Sequence, residues 1–284
     1  MLFRSLVMPN AGLPQNVDGK MVYTLEKERF VEKLVQFVQE DGVGLVGGCC
    51  GTTPEFIELL AEKVEGLEIG ARRCEFQPSV ASLFSAQAIA QSPSPLFIGE
   101  RANTNGSKQF REYLLKGDWD GILSIALEQQ KTGAHTMDLC VAYTGRDEVA
   151  DMKEAVSRIG RQVGLPLVID STELRVLEAA LKLYGGRPII NSINLESGEE
   201  RADNICRLAK RYGAALIALT IDEKGMAMDT ARKLEIAGRI YDIAVHRHGL
   251  KPHDLIFDLL TFTLGSGDVS LKNAGKETDR KSVV

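Results

Sequence analysis

Cys49 and Cys50 are adjacent and framed by Gly47, Gly48 and Gly51. A sharply turned backbone brings two such thiolates to one soft cation, and glycine permits the turn. The competing reading is packing, since free cysteine often serves as a small buried hydrophobe. A second polar set is strung along the rest of the chain: Glu100, Asp138, Asp170, Asn191 and Asp258, each within or just after a short apolar run. Taken singly, each is as readily a helix cap or an ion-pair partner as a functional group. The histidines offer no metal site. His246 and His248 are two apart on a helical stretch and point to different faces, unlike an i,i+4 pair. His135 and His253 have no such partner either, and all four read as structural or solvent-facing.

The elements that must position these residues alternate. Val31, Leu34, Val35 and Val38 fall at helical spacing, and Asp41-Gly42 stops that helix. Val43–Val46 reads as a short buried strand that runs into the glycine-framed cysteines. Thr53-Pro54-Glu55 opens the next helix with a hydroxyl cap, a first-turn proline and an early acid. Its expected buried stripe is Ile57, Leu60, Ala61 and Val64. From Cys74 to Pro95 the periodicity fails. That stretch reads as a linker packed on a surface, because Phe76, Val80, Leu83 and Phe84 are too apolar for a free tether. Beyond it lie six strand candidates: Leu96–Gly99, Thr136–Val141, Leu165–Asp170, Pro188–Ser192, Ala215–Thr220 and Leu255–Asp258. Helical stretches separate them, which implies a parallel sheet. A (β/α)8 barrel and a doubly wound sheet both fit, and the absence of a GxGxxG turn after the first strand argues against dinucleotide binding. In a barrel the strand ends share one face, and that face holds the active site. Polar residues at five of these strand ends exceed what capping alone explains.

Particular motifs narrow this further. Val46-Gly47-Gly48-Cys49-Cys50-Gly51-Thr52-Thr53-Pro54 resembles the zinc-binding end of homocysteine S-methyltransferase domains, and Pro9–Pro14 resembles the segment after the penultimate strand of such a barrel. Gly99-Glu100-Arg101-Ala102-Asn103 resembles the opening strand of a folate-binding barrel, in which Thr often stands at the place of Ala102. Met137-Asp138-Leu139, Ile169-Asp170-Ser171-Thr172, Ile190-Asn191-Ser192 and Ile256-Phe257-Asp258 continue the match. Their order and spacing resemble the cobalamin-dependent methionine synthase family over nearly the whole chain.

That resemblance implies two (β/α)8 barrels of the TIM type, both incomplete here. Residues 1–73 would be the end of a homocysteine-binding barrel, 74–95 a linker, and 96–278 a truncated pterin-binding barrel. It implies a methyltransferase that moves methyl from 5-methyltetrahydrofolate through cobalamin to homocysteine. Cys49 and Cys50 would bind zinc, with a third cysteine ligand on an earlier strand outside this sequence; Cys74 is the nearest spare thiol but sits past the helix. Zinc-bound thiolate is the form of homocysteine that attacks a methyl group. Glu100, Asn103, Asp138, Asp170, Asn191 and Asp258 would bind the pterin, whose donor-rich edge suits carboxylates. Asp170 and Asn191 would be catalytic, Asn191 lying near N5 and stabilising its protonated form. Cys140 and Cys206 are expected to be structural. Cobalamin would arrive on another module. The rival readings are a two-barrel protein that joins homocysteine methylation to methylenetetrahydrofolate reduction, and a pterin-binding remnant without turnover.

Bulk properties exclude other classes. The chain has 284 residues, 44% hydrophobic and 26% charged, with a net charge of −5. No nucleic-acid footprint and no membrane-spanning run is visible. Five cysteines without framework spacing suit a reducing cytoplasm. Asp279–Val284 equals the translation of a common sequencing adapter, so 279–284 reads as a non-native tail or an ordinary terminus.

Overall fold

Hydrophobic spacing sets the first elements. In the computed structural model, which describes residues 5–71, 76–261 and 273–279, the chain divides into two units, Met1–Phe76 and Gln77–Val284. Cys74 and residues 280–284 lie outside the described residues. The first unit runs β1 (Leu6–Val7), the hairpin β2 (Gln15–Val17) and β3 (Lys20–Val22), α1 (Lys27–Gln39), β4 (Leu45–Val46) and α2 (Pro54–Val64). β1 and β4 pair in parallel, with α1 between them in the chain. Phe30, Val31, Leu34 and Leu60 form the core between the helices, and the Phe30 and Phe56 rings meet edge to face at 5.4 Å. The buried stripe of α2 is Phe56, Leu59, Leu60 and Val64, one step around from the expected one. Ile57 is left 43% exposed.

The second unit opens with a hairpin, β5 (Ser79–Ala81) and β6 (Ala86–Ala88), then β7 (Ile98–Asn103), α3 (Lys108–Lys116), α4 (Trp119–Lys131), β8 (Thr136–Cys140) and α5 (Glu148–Ile159). β9 (Leu167–Asp170), α6 (Leu174–Leu183), β10 (Ile189–Ile193), α7 (Glu199–Tyr212) and β11 (Ala215–Leu219) follow. A small antiparallel pair, β12 (Ile221–Asp222) and β13 (Gly225–Met226), precedes α8 (Thr230–Tyr241), which continues as a π-helical turn over Asp242–Arg247. β14 (Leu255–Asp258) and α9 (Ala274–Asp279) complete the described residues. β7, β8, β9, β10, β11 and β14 form one parallel sheet in chain order. The order never reverses, so the sheet has the sequence of a barrel and lacks the switch point of a doubly wound fold.

Each strand divides its residues between two environments, as a period of two requires. Met137, Leu139, Leu167, Ile169, Ile190, Leu216 and Ala218 face the helices and are fully buried. The alternate residues Val168, Ile189, Ala215 and Ile217 cluster on the other face, with Ile98, Leu219 and Ile256 beside them. That face carries Asp138 and Asn191 midway along β8 and β10, and Asp170 and Asp258 at the C-terminal ends of β9 and β14. The barrel interior thus has an apolar floor and a polar mouth.

The floor is sealed by the hairpin. Val80, with 0% exposure, packs into the inner cluster. Ala81 exchanges backbone hydrogen bonds with Arg187 at 2.9 and 2.8 Å. The Tyr184 hydroxyl donates to the Ala81 carbonyl, and the Arg187 guanidinium donates to the carbonyls of Ser79 and Gly213 and pairs with Asp254. Residues 77–95 therefore belong with the second unit, where the sequence suggests a linker. The weak periodicity there has a physical cause: a two-stranded hairpin buries only the side chains that point into the floor.

Candidate functional site

The mouth is built by parallel strands with two shifts of register, one in β7 between Gly99 and Ala102 and one in β10 between Asn191 and Ile193. β7 pairs with β8 through Gly99↔Met137 and then Ala102↔Leu139, a shift of register that sets Glu100 and Arg101 opposite the single residue Asp138. Such a bulge adds one residue to one strand. Gln129 on α4 holds it by accepting the Arg101 N–H at 2.8 Å, and Arg101 reaches Glu128 on the same helix. The extra residue reverses the alternation, so Asn103, paired with Cys140, turns into the mouth. Its Nδ2 donates to Asp138 Oδ2 at 2.8 Å and to Asp170 Oδ2 at 3.3 Å. Asn191, in register with Asp170, donates to Asp138 Oδ1 at 3.5 Å. A cavity of about 140 Å³ opens beside them, lined by Asp170, Ser171, Thr172, Asn191, Ser192 and Arg201 among others. A larger one of about 380 Å³ lies outside the strand ends, between the first turns of α6 and α7, and shares Thr172 and Arg201 with it. The smaller is the better candidate because it holds the inward carboxylate and amide.

Burial dominates the electrostatics. Asp138 is 5% exposed, and desolvation pushes its carboxyl up to about 6. The amides of Asn103 and Asn191 pull the other way, and the charges of Asp170 and Glu100 add to the rise. Asp170 is raised for the same first reason, opposed by hydrogen bonds from Cys140 and Asn103 and assisted by Glu148 and Glu100. Glu100 is exposed at the rim, its charge acting on both. Asp258 ends β14 on the same face, its carboxylate accepting the Leu260 N–H at 2.8 Å. Two contributors are not in the sequence-based set. The Cys140 thiol lies against Asp170, where burial lifts it to about 11. Arg201, on α7, donates to the carbonyls of Thr172 and Ser192 and so ties the loop after β9 to β10 itself. Burial lowers its pKa. Cys140 was findable, two residues beyond Asp138 on one strand; nothing local marks Arg201.

The model of the family described as pterin binding enzyme matches residues 99–277, the unit that carries this mouth. The chain belongs to the pterin-binding enzymes. A second model, homocysteine S-methyltransferase, matches residues 2–64. Two curated relatives are the methionine synthases of Mycobacterium tuberculosis, 44% identical over 275 residues, and Mycobacterium leprae, 43% identical over 280. Each alignment takes in 96% of this chain, but the chain spans only 23% of either relative's length. Among solved structures, dihydropteroate synthase from Xanthomonas albilineans aligns with a TM-score of 0.53 at 15% identity, over 72% of this chain and 73% of that one. The enzyme of the same kind from Vibrio fischeri gives 0.51 at 15% identity, over 71% and 74%. At that identity these two establish the barrel fold alone.

This pterin-binding enzyme carries its cysteine pair in the other unit. The turn there is tightly specified. Gly51 has φ +81°, and a Cβ on it would lie 2.2 Å from the Tyr23 ring; one on Gly48 would strike Thr52. Asn10 Oδ1 accepts the Cys50 N–H at 3.2 Å, and Thr52 Oγ1 donates to the Cys49 carbonyl at 2.6 Å. The two sulfurs end 3.8 Å apart, both residues exposed. Two zinc–sulfur bonds of about 2.3 Å at a tetrahedral angle span roughly 3.8 Å, so the pair fits as two ligands of one ion. Among the described residues no group of three candidate ligands comes together. The histidines have local partners away from the mouth: His135 with Phe97 N–H, His246 with Asp242, His248 with Asp203 and His253 with Asp254.

Proposed function

We propose that this chain is the folate-facing part of a methionine synthase, with its second unit binding 5-methyltetrahydrofolate and releasing the N5 methyl. The observation that carries the reading is the mouth itself: Asp138 and Asp170 bridged by one amide, with Asn191 beside them, in a chain 44% identical to a methionine synthase. A pterin presents a row of N–H donors, and Asp170 and Asp258 would accept them. An acceptor such as the partly buried Asp170 rejects a ligand without matching donors by being left unpaired. N5 leaves only if it gains a proton or a hydrogen bond as the methyl departs. Because the Asn191 Nδ2 faces Asp138, its Oδ1 is left as an acceptor, suited to an N5–H as it forms. A reduced cobalamin on another module would be the methyl acceptor. Cys49 and Cys50 would hold a zinc ion, which when bound keeps the homocysteine sulfur ionised. Exposed free thiols at these two positions favour a reducing compartment such as the cytoplasm. No described helix is long and apolar enough to cross a membrane.

The test is a titration of the chain with 5-methyltetrahydrofolate, followed by addition of reduced cobalamin and measurement of demethylated folate. Saturable binding that Asp170→Ala abolishes, with transfer on adding cobalamin, supports the reading. Binding without transfer would make the chain a pterin-binding remnant. No binding at all would refute the folate assignment.

A further inference from the structure

The amide of Asn103 has no hydrogen-bonding capacity left for a ligand. A side-chain amide offers two N–H donors and a carbonyl with two lone pairs. Here Oδ1 accepts the N–H groups of Asn105 at 2.8 Å and Gly106 at 3.2 Å. Nδ2 donates to one oxygen of Asp138 and one of Asp170. The orientation is forced from both ends, since turning the amide over would set N–H groups against N–H groups and a carbonyl against two carboxylates. Around the pair, Asp138 also faces Asn191, Asp170 and Glu100, and Asp170 faces Cys140, Glu148 and Glu100. Arg201 lines the neighbouring cavity, where it donates to the carbonyls of Thr172 and Ser192 and bonds to neither carboxylate of the pair. The bridge that lets the buried Asp138 and the partly buried Asp170 share this mouth is therefore neutral, and it comes from the bulged end of β7.

We propose that Asn103 is a positioning residue that clamps Asp138 and Asp170 at a fixed spacing and makes no contact with the bound pterin. The pterin half of that statement rests on the proposed function; the clamp does not. Its test begins without ligand. The Asp138 carboxyl is titrated by carbon NMR in the 284-residue chain and in two variants. The wild-type midpoint should lie at about 6. Asn103→Ala removes the donors and should raise it by about one pH unit, the worth of a hydrogen bond to a charged group. Asn103→Asp keeps the acceptor for Asn105 and Gly106 but puts a third carboxylate against the other two, so its midpoint should rise further. Because it keeps the turn, it also provides a second variant if Asn103→Ala does not fold. An Asn103→Asp midpoint equal to that of wild type would place the side chain at position 103 away from Asp138, and the clamp would be refuted. An unmoved midpoint in Asn103→Ala would refute it as well.

The second arm adds 5-methyltetrahydrofolate. A clamp predicts that Asn103→Ala binds about threefold more weakly than wild type at pH 6.5, the ratio of ionised Asp138 for midpoints one unit apart, and equals wild type at pH 8.5, where both acids are ionised again. A loss that is the same at both pH values would make Asn103 a direct ligand contact and overturn the proposal. A wild-type chain that does not bind the folate would sink the proposed function while leaving the ligand-free titration to decide the clamp.

Discussion

Replacing Asp138 by asparagine should make the protein more stable near neutral pH while removing its pterin affinity. The folded state holds this carboxyl at about 6, against 3.8 for the free side chain, mainly because burial penalises its charge. A raised acid binds more protons folded than unfolded, so stability is lost as pH rises from the unfolded value through the folded one. The difference of about two units corresponds to roughly 3 kcal/mol in full, of which about 2 kcal/mol falls between pH 4.5 and 7.5. Asparagine does not titrate, so this loss should vanish in the variant. Asparagine also sets an N–H against the donors of Asn103 or Asn191, an offset of about 1–3 kcal/mol that does not change with pH. The measurement is urea unfolding of wild type and Asp138→Asn at several pH values, comparing how the difference in stability changes. It should grow by about 2 kcal/mol across that range and level off above pH 7. Parallel curves for the two proteins would show that Asp138 is not held above its ordinary range and would undo the account of the mouth.

Other consequences are equally direct. Val80→Ala removes two methyl groups from the sealed floor and should lower the stability of the second unit by about 2–3 kcal/mol in chemical denaturation; no measurable change would mean that the hairpin is not seated. Asn191→Ala should slow methyl transfer from 5-methyltetrahydrofolate to added reduced cobalamin by about a hundredfold with little change in the melting temperature, whereas a loss accompanied by a much lower melting temperature would indicate misfolding instead. The chain should bind zinc weakly in competition with a chromogenic chelator, and Cys49→Ala or Cys50→Ala should abolish that binding. Tight binding insensitive to both changes would place the ion elsewhere.

The sheet was legible because each strand carries its own apolar signature, and Asp138, Asp170, Asn191 and Asp258 fall at or near strand ends where composition changes. β7 was legible only in part. Its apolar run stops at Gly99, so the expected strand ends there, yet the chain continues extended through Asn103 on the strength of β8 alongside it. A strict alternation from Ile98 also places Asn103 outside the barrel. The bulge that turns it inward depends on Gln129, twenty-eight residues away on α4. Arg201 was hidden for a similar reason, since its partners are backbone carbonyls, which leave no trace in residue type. In the hairpin, Val80 is valuable only because Val168, Ile189 and Ala215 leave room for it. Contacts between distant segments, rather than local preference, decide all three.

A vessel with a stoppered base is entered over its rim or through a gap in its wall. With Val80 closing the floor, whatever reaches Asp138, Asp170 and Asn191 comes in by the mouth or by the flank between β7 and β14, strands that do not pair with each other among the described residues. A small molecule lodged there blocks its own replacement, and a large partner covering both rim and flank would trap it. Donor and acceptor of a methyl group would then have to take turns: the spent pterin departs only after the partner has lifted off, and fresh pterin arrives before it returns. Turnover would be paced by this traffic as much as by bond breaking, and a partner cross-linked over both rim and flank should stop exchange of bound pterin entirely. Continued exchange under that restraint would reveal another way in.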